Sequence, residues 1–545
     1  MDSYVDLLFY VFIIIFALVA RQQSQTTLRQ PPRLSETIPF VSNGWQFLTN
    51  KRLFINRVRE ALRTSPVIRC RLGPTNLYIV GGGSNAPAIF QSSFTSDPWI
   101  LRVLEHTAGY SPTAAAKFAA DGSGCAASPR TDSGSGPPAP DNNKKRIWHA
   151  MRRAHEDGLL SSRSVSVFAA TFQLCFDEQL AAFQIGEWHG DVRVFDFLKR
   201  SMAAVATRSV CGSLILDANP GFVEAFWEYA KFAEAPAFGS PRWLLNRKAV
   251  PARERFRGMC SEWYKLAEDE FDWDDGSAQR DVSWEPVFGS RISRGLAQWG
   301  KLFDFSAESL GAAYALLLFG LHANTIPICA WVVMEIIKDP HLLHAVRKEI
   351  SEVRVTDDPD NTTGLDYRRL ASLPLLQSVY TEALRLYASI LITRTSTESV
   401  TIGGYEIPKG SVFQAPTEVA HLDEAIWGTP AHPASEFWAH RHVQEVETVD
   451  RSGQIHTRLE FSMAGREGYF FPFGGGNSIC AGHNFAKPEV LLTVAMIITR
   501  FEIEFVEWLK PNGSRSNRPA QGNTNYANAV ATPPDREMRV KWRRM

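Results

Sequence analysis

The sequence predicts a mainly α-helical protein with a minor β-rich region, carried behind an N-terminal transmembrane helix. Long amphipathic segments fill the stretch from Lys144 to about Tyr387, short strand-rich patches flank them, and Leu7 to Ala20 is an unbroken apolar run. Apolar residues make up 45% of the 545, enough for a large core. Length alone suggests about three or four domains, yet no long disordered linker divides the middle, so one large domain over residues 46–545 fits as well. The formal net charge is zero, which gives no general drive toward nucleic acid. Seven cysteines are scattered without a Cys-x-x-Cys spacing, which argues against a zinc site or disulfide framework and for a reducing compartment.

The first element is the anchor. Tyr4 to Ala20 just reaches the roughly 17–25 residues that span a bilayer. A cleaved signal peptide starts positive and has small residues before its cut; this start carries Asp2 and Asp6, and Leu18 sits near the end of the run. Residues 1–20 therefore read as a retained single-pass anchor. Arg21, Arg29 and Arg33 on its far side leave everything after Ala20 in the cytosol. The sequons at Asn361 and Asn512 would then stay unmodified. Residues 21–45, with Pro31-Pro32 and Pro39, form a stiff linker.

Val67–Leu72 and Leu77–Val80 read as two strands around Gly73-Pro74-Thr75-Asn76, a hairpin signal. Residues 121–143 are rich in Gly, Ser, Pro and Asp and read as a flexible exposed loop. Beyond it, Trp148-His149-Ala150-Met151-Arg152 gives a Trp-x-x-x-Arg helix face in a basic stretch with Lys144, Lys145, Arg146 and Arg153. A planar guanidinium suits a carboxylate fork and the indole N–H is a second donor. A simply solvated face fits these residues too.

The next long helix covers Leu310–Ile337 and contains Phe319-Gly320-Leu321-His322-Ala323-Asn324-Thr325-Ile326-Pro327. Pro327 has no N–H for the carbonyl four residues back and its ring crowds that carbonyl, so a kink is expected around Ala323–Asn324. A kinked groove beside polar side chains could hold dioxygen or a water. The length also allows a second membrane span, but the polar residues clustered mid-segment would be penalised by lipid.

In Thr381-Glu382-Ala383-Leu384-Arg385, Glu382 and Arg385 are neighbours on one helix face. Ser396–Phe413 is a second strand-rich patch, punctuated by Gly403-Gly404 and Pro408-Lys409-Gly410. Arg441 follows in Glu436-Phe437-Trp438-Ala439-His440-Arg441. The last motif is Phe471-Pro472-Phe473-Gly474-Gly475-Gly476-Asn477-Ser478-Ile479-Cys480-Ala481-Gly482. Its glycines permit a tight turn and close approach to a flat ligand. A thiol just before a helix is favoured as thiolate, the metal-binding form. A buried free cysteine beside a glycine turn fits as well; a phosphate loop does not, because no Gly-Lys-Ser/Thr ending follows.

Phe-x-x-Gly-x-x-x-Cys-x-Gly resembles the axial-ligand loop of the cytochrome P450 family, and anchor, proline linker, Trp-x-x-x-Arg, proline-containing helix, Glu-x-x-Arg, late arginine and cysteine loop follow in that family's order. The resemblance implies the cytochrome P450 fold and haem b, with Cys480 as iron ligand. It implies cofactor contacts from Trp148, Arg152, Arg394, Phe473 and Gly476, and a structural triad of Glu382, Arg385 and Arg441. Ser478 stands where arginine or histidine is common in the family, so one propionate contact is missing or made through the serine hydroxyl, and His483 replaces a common arginine.

In most of the family an acid followed by threonine relays protons to dioxygen; here Ala323 and Asn324 occupy those places, with Thr325 next, and the catalytic positions fall on Asn324 and Thr325. The Ala-Asn-Thr-Ile-Pro run is similar to the branch of sterol 7-hydroxylases and prostacyclin synthase, which holds oxygen-inserting and isomerising enzymes. His322 could assist proton delivery, face substrate or simply pack. Substrate is expected near Gly320–Thr325, Ala388–Ile392 and Asn525–Val530.

The resemblance thus implies a monooxygenase on the cytosolic face of the endoplasmic reticulum membrane, single-pass, acting on a mid-sized apolar substrate of fungal secondary metabolism. Its partners would be O2, NADPH-cytochrome P450 reductase and membrane lipid, and no nucleic acid. The alternatives are a haem-thiolate isomerase or dehydratase that needs no reductase, and a non-enzymatic tethered protein that binds an apolar ligand.

Overall fold

The computed structural model describes residues 30–38, 41–72, 75–125, 146–233, 247–276, 281, 283–353, 364–449, 454–526 and 530–545. The anchor expected at residues 1–20, residues 126–143 of the expected loop and the sequon at Asn361 lie outside the described residues.

A single long helix, Ala307–Lys338, forms the axis of the core. Ser306 starts it by accepting the Ser309 N–H at 3.3 Å, and Glu308 in the first turn and Lys338 in the last complement the helix dipole. It stays helical across Pro327, so the proline costs one backbone bond without ending the element. Asp339 then closes it and caps the next helix, Pro340–Ser351, accepting from His341 N at 2.9 Å and Leu342 N at 3.2 Å.

The central helix packs against Val194–Cys211, Ala249–Glu270, Pro374–Tyr387 and His483–Arg500. Leu318, Ile326, Val332 and Ile336 are wholly buried, each contributing about 1.5–3 kcal/mol on leaving water. Gly311 lets the helix lie close against Ala249–Glu270: a Cβ there would lie 2.8 Å from the Arg257 carbonyl oxygen. The helix is long and apolar enough to cross a membrane, but 67% of its most apolar window is buried inside the protein. Neighbouring helices, not lipid, meet its apolar faces.

Two larger sheets flank this bundle. In the first, the hairpin of Val67–Leu72 and Thr75–Val80 pairs antiparallel with Leu72 opposite Thr75. Its second strand runs parallel to Val412–Pro416, which pairs antiparallel with Leu391–Ser396 so that Arg394 lies opposite Phe413. Phe94–Thr95 closes that edge. Part of the expected linker lies on the same sheet: Leu34 is buried and its N–H donates to the Arg69 carbonyl at 2.8 Å. The second sheet orders Arg515–Ser516, Phe501–Leu509, Glu537–Arg544 and Trp188–Arg193, all antiparallel.

Candidate functional site

The cysteine loop is shaped by its glycines. Gly474 and Gly476 have φ of +73° and +64°, where L side chains are strained. A Cβ on Gly476 would fall 1.8 Å from the Phe90 carbonyl oxygen, and one on Gly475 would fall 2.4 Å from the Phe90 ring. The loop can therefore lie flat on Phe90 only without side chains at these positions. Cys480 N–H donates to the Phe473 carbonyl at 3.0 Å, closing the turn.

Cys480 is an exposed residue at the end of this turn although its thiol is largely enclosed, and helix His483–Arg500 begins three residues later. Partial enclosure raises its thiol pKa, and the backbone N–H groups of Gly482 and His483 pull it down. The net shift is upward. The lowering expected of a helix start is present but smaller than the desolvation cost, so the thiolate gains most from a cation placed before it.

Arg394 reaches this loop from the strand Leu391–Ser396. Its Nη2 lies 3.9 Å from where a Cβ on Gly474 would stand, and its guanidinium sits 5.9 Å from the Phe90 ring centre. It is 7% exposed and donates to the Thr393 carbonyl at 3.0 Å. Burial lowers its pKa to about 10, with Asp97 opposing, so it remains cationic at neutral pH. Among the described residues it has no salt bridge. A buried cation with no carboxylate at contact distance suits an anionic group brought by a ligand. Ser478 Oγ meets Ser96 Oγ at 2.8 Å, so that hydroxyl is already in a hydrogen bond.

Trp148 and Arg152 share the helix Ile147–Leu159. Trp148 is buried; its Nε1 donates to the Phe118 carbonyl at 2.9 Å and its backbone N–H to Asp121 Oδ2 at 3.1 Å. Arg152 pairs through Nε with Glu156 at 2.6 Å, while its Nη1 is buried without a partner among the described residues. An orphaned guanidinium N–H is costly, and a ligand carboxylate would satisfy it. The glycine floor, the Cys480 thiol and the buried Arg394 cation beside them fit a flat, carboxylate-bearing metal macrocycle that takes a thiolate as ligand; no contact brings the orphaned Arg152 nitrogen to that loop among the described residues.

On the central helix, Asn324 Oδ1 accepts the Ala531 N–H at 2.8 Å, and Thr325 beside it is buried. His322 is packed: its Nε2 lies 2.9 Å from Thr207 Oγ1 and its ring meets Phe226 edge-on at 4.9 Å. Burial pushes its pKa down to about 3, which keeps the ring neutral. Of the three roles open to this histidine, the structure shows the packed one.

Behind the loop, Arg385 grips Glu382 through two bonds of 2.8 and 2.7 Å, and Arg441 Nε reaches Glu382 Oε1 at 2.8 Å. His442, which the sequence did not single out, adds Nε2 at 3.2 Å from Glu382 Oε2. Burial would raise the Glu382 carboxyl, but the hydrogen bonds from Arg385 and His442 and the charges of Arg385 and Arg441 hold it down at about 2. The triad also gathers backbone carbonyls: Arg385 holds those of His421 and Ala434, and Arg441 that of Glu436. Its role is to brace the chain, not to react.

Comparison with known proteins agrees with this geometry. The family model described as Cytochrome P450 matches residues 140–518. The chain is 38% identical to the cytochrome P450 monooxygenase calL of Penicillium decumbens over 549 aligned residues, covering 100% of this chain and 99% of that protein. It is 28% identical to the cytochrome P450 monooxygenase efuG of Hormonema carpetanum, covering 92% and 89% respectively. A more distant similarity, 31% over 216 residues, links 38% of the chain to 41% of the cholesterol 7-alpha-monooxygenase of Cricetulus griseus.

Proposed function

The chain belongs to the cytochrome P450 family, and on that footing we propose that it is a reductase-dependent monooxygenase of fungal secondary metabolism that inserts one oxygen atom of O2 into a mid-sized, mainly apolar substrate. The observation that carries this reading is the cysteine loop: a thiol at the end of a glycine floor, with the buried cation of Arg394 against it. Cys480 would ligate the iron of haem b, and Phe473 and Gly476 would help hold that group. Arg394, Arg152 and Trp148 would serve the propionates, and Trp148 would have to release the Phe118 carbonyl to do so. When bound, the haem supplies dioxygen activation with a thiolate ligand that favours O–O cleavage.

The chain's own residues supply orientation and exclude water. Asn324 and Thr325 would face the reaction space from the central helix, with Gly320–Thr325 and Ala388–Ile392 as walls; of the expected Asn525–Val530 wall, residues 527–529 lie outside the described residues. Electrons would come from NADPH-cytochrome P450 reductase. Residues 1–20 would hold the 46–545 catalytic domain on the cytosolic face of the endoplasmic reticulum membrane through the 21–45 linker. The relatives named above are monooxygenases, and no observation favours a reductase-independent isomerase.

The test is full-length chain co-expressed with the reductase and supplied with candidate polyketides, terpenoids and steroids under labelled O2. A product carrying one labelled oxygen, dependent on NADPH and lost in Cys480→Ser, is expected. Folded protein that takes up no haem, or that turns a peroxide over without NADPH and reductase, defeats the reading.

A further inference from the structure

Asn324 stands at the place where the family usually carries an alcohol, yet its side chain is already engaged. Its Oδ1 accepts the backbone N–H of Ala531 at 2.8 Å. An N–H needs an acceptor, so the amide cannot flip without presenting its NH2 to that donor and losing the bond. Ala531 is 1% exposed, so water cannot replace the lost partner.

The Ala531 segment is tied on its other side as well. Ala531 bridges Ala388, and Thr532 N–H donates to the Tyr387 carbonyl at 2.8 Å. Trp331, two turns along the central helix from Asn324, donates Nε1 to the Thr532 carbonyl at 2.8 Å and stacks on Tyr387 with centroids 3.8 Å apart and planes 5° apart. The central helix, the end of helix Pro374–Tyr387 and the Val530–Thr532 segment are thus joined through one buried strip.

We infer that Asn324 is a positioning residue, one that sets the shape of the substrate cavity by clamping the Val530–Thr532 segment to the central helix rather than by passing protons. This inference rests on the proposed monooxygenase reading for what the cavity holds, but the clamp itself needs neither substrate nor reductase. Three substitutions separate the two roles. Aspartate keeps an acceptor oxygen at the same reach, threonine restores the usual alcohol but is one bond short, and alanine removes both.

The experiment uses the full-length chain in detergent, with the reduced carbon-monoxide spectrum as a check that each variant is folded and loaded. Hydrogen exchange is read on peptides spanning Val530–Thr532, and affinities are titrated for a small azole, 4-phenylimidazole, and a bulky one, clotrimazole. Loss of the clamp is expected to speed Ala531 exchange about fivefold to tenfold in Asn324→Ala and Asn324→Thr. The same variants should shift the ratio of the two azole affinities, whereas Asn324→Asp retains wild-type exchange and ratio. Fast exchange in the wild type, or protection kept by threonine and lost by aspartate, overturns the clamp. Protected Ala531 in a chain that forms no oxygenated product leaves the clamp standing and defeats the monooxygenase reading instead.

Discussion

His421 Nε2 accepts the backbone N–H of Phe471 at 3.1 Å, while Nδ1 of the same ring lies 3.2 Å from the Arg385 carbonyl. One neutral imidazole, with its proton on Nδ1, therefore links the Glu382–Arg385–Arg441 triad to the first residue of the cysteine loop. The ring is wholly buried, and burial, reinforced by the Arg385 charge, lowers its pKa to about 3.

Protonating His421 would remove the acceptor that Phe471 needs. Because the folded pKa lies below the unfolded value of about 6.5, the unfolded chain binds more protons between the two. Stability is therefore full above pH ~6.5 and declines as pH falls toward about 3. His421→Phe should cost about 1–3 kcal/mol by stranding the Phe471 N–H. It should also flatten the acid side of a plot of unfolding free energy against pH. An unchanged slope would mean that His421 is not the titrating link and that the acid sensitivity lies with other histidines lowered in the same direction by burial, such as His322, His155 or His442.

Glu382→Ala is expected to be the most damaging single change outside the cysteine loop. It leaves two buried guanidinium groups without their shared carboxylate, and breaking a buried pair typically costs about 3–5 kcal/mol. The measurement is the yield of soluble, haem-loaded protein beside that of Arg59→Ala, whose partner Glu418 lies in a more exposed ion pair. Equal yields would contradict a bracing role for the triad.

The cysteine loop and the Glu382–Arg385 pair were legible because their chemistry is local: a glycine run before a thiol, two charges one helix turn apart. Arg441 was found by its order in the chain. His421 and His442 were not, since nothing near them in sequence reveals that one meets Phe471 and the other Glu382. The second sheet is legible only strand by strand: Phe501, Ile503 and Phe505 alternate with Glu502 and Glu504, and Met538, Val540 and Trp542 with Arg539 and Lys541. That period-two signal was available; the pairing with Trp188–Arg193, about 350 residues upstream, was not. Asn324 was singled out for its position, but its bond to Ala531 exists only once the chain end folds back.

Gly476 and Gly465 offer a controlled comparison. Both have positive φ, +64° and +76°. A Cβ on Gly476 collides with the Phe90 backbone, whereas one on Gly465 meets nothing within 4 Å. Gly465→Ala should cost only the backbone strain, about 1 kcal/mol. Gly476→Ala should in addition displace the loop and abolish the carbon-monoxide band of the reduced protein. If both variants keep the band, the contact with Phe90 does not determine the loop.

Glu489 presents the opposite electrostatic case from Glu382. It is wholly buried in helix His483–Arg500, and neither carboxyl oxygen has a hydrogen-bond partner among the described residues. Burial pushes its pKa well above the ordinary carboxylate value, so the group is held as the neutral acid. Here the folded state binds the extra proton. Stability is full below about pH 4.5 and is lost as pH rises through the raised folded value. Glu489→Gln should remove that decline while changing stability little at low pH. Glu489→Leu, which buries no polar atom, should raise stability by about 1–3 kcal/mol at neutral pH, the cost of an unsatisfied buried polar group. Thermal unfolding of the three proteins at pH 5 and pH 8 decides it, and a leucine variant less stable than wild type at both would show that the carboxyl is satisfied by internal water.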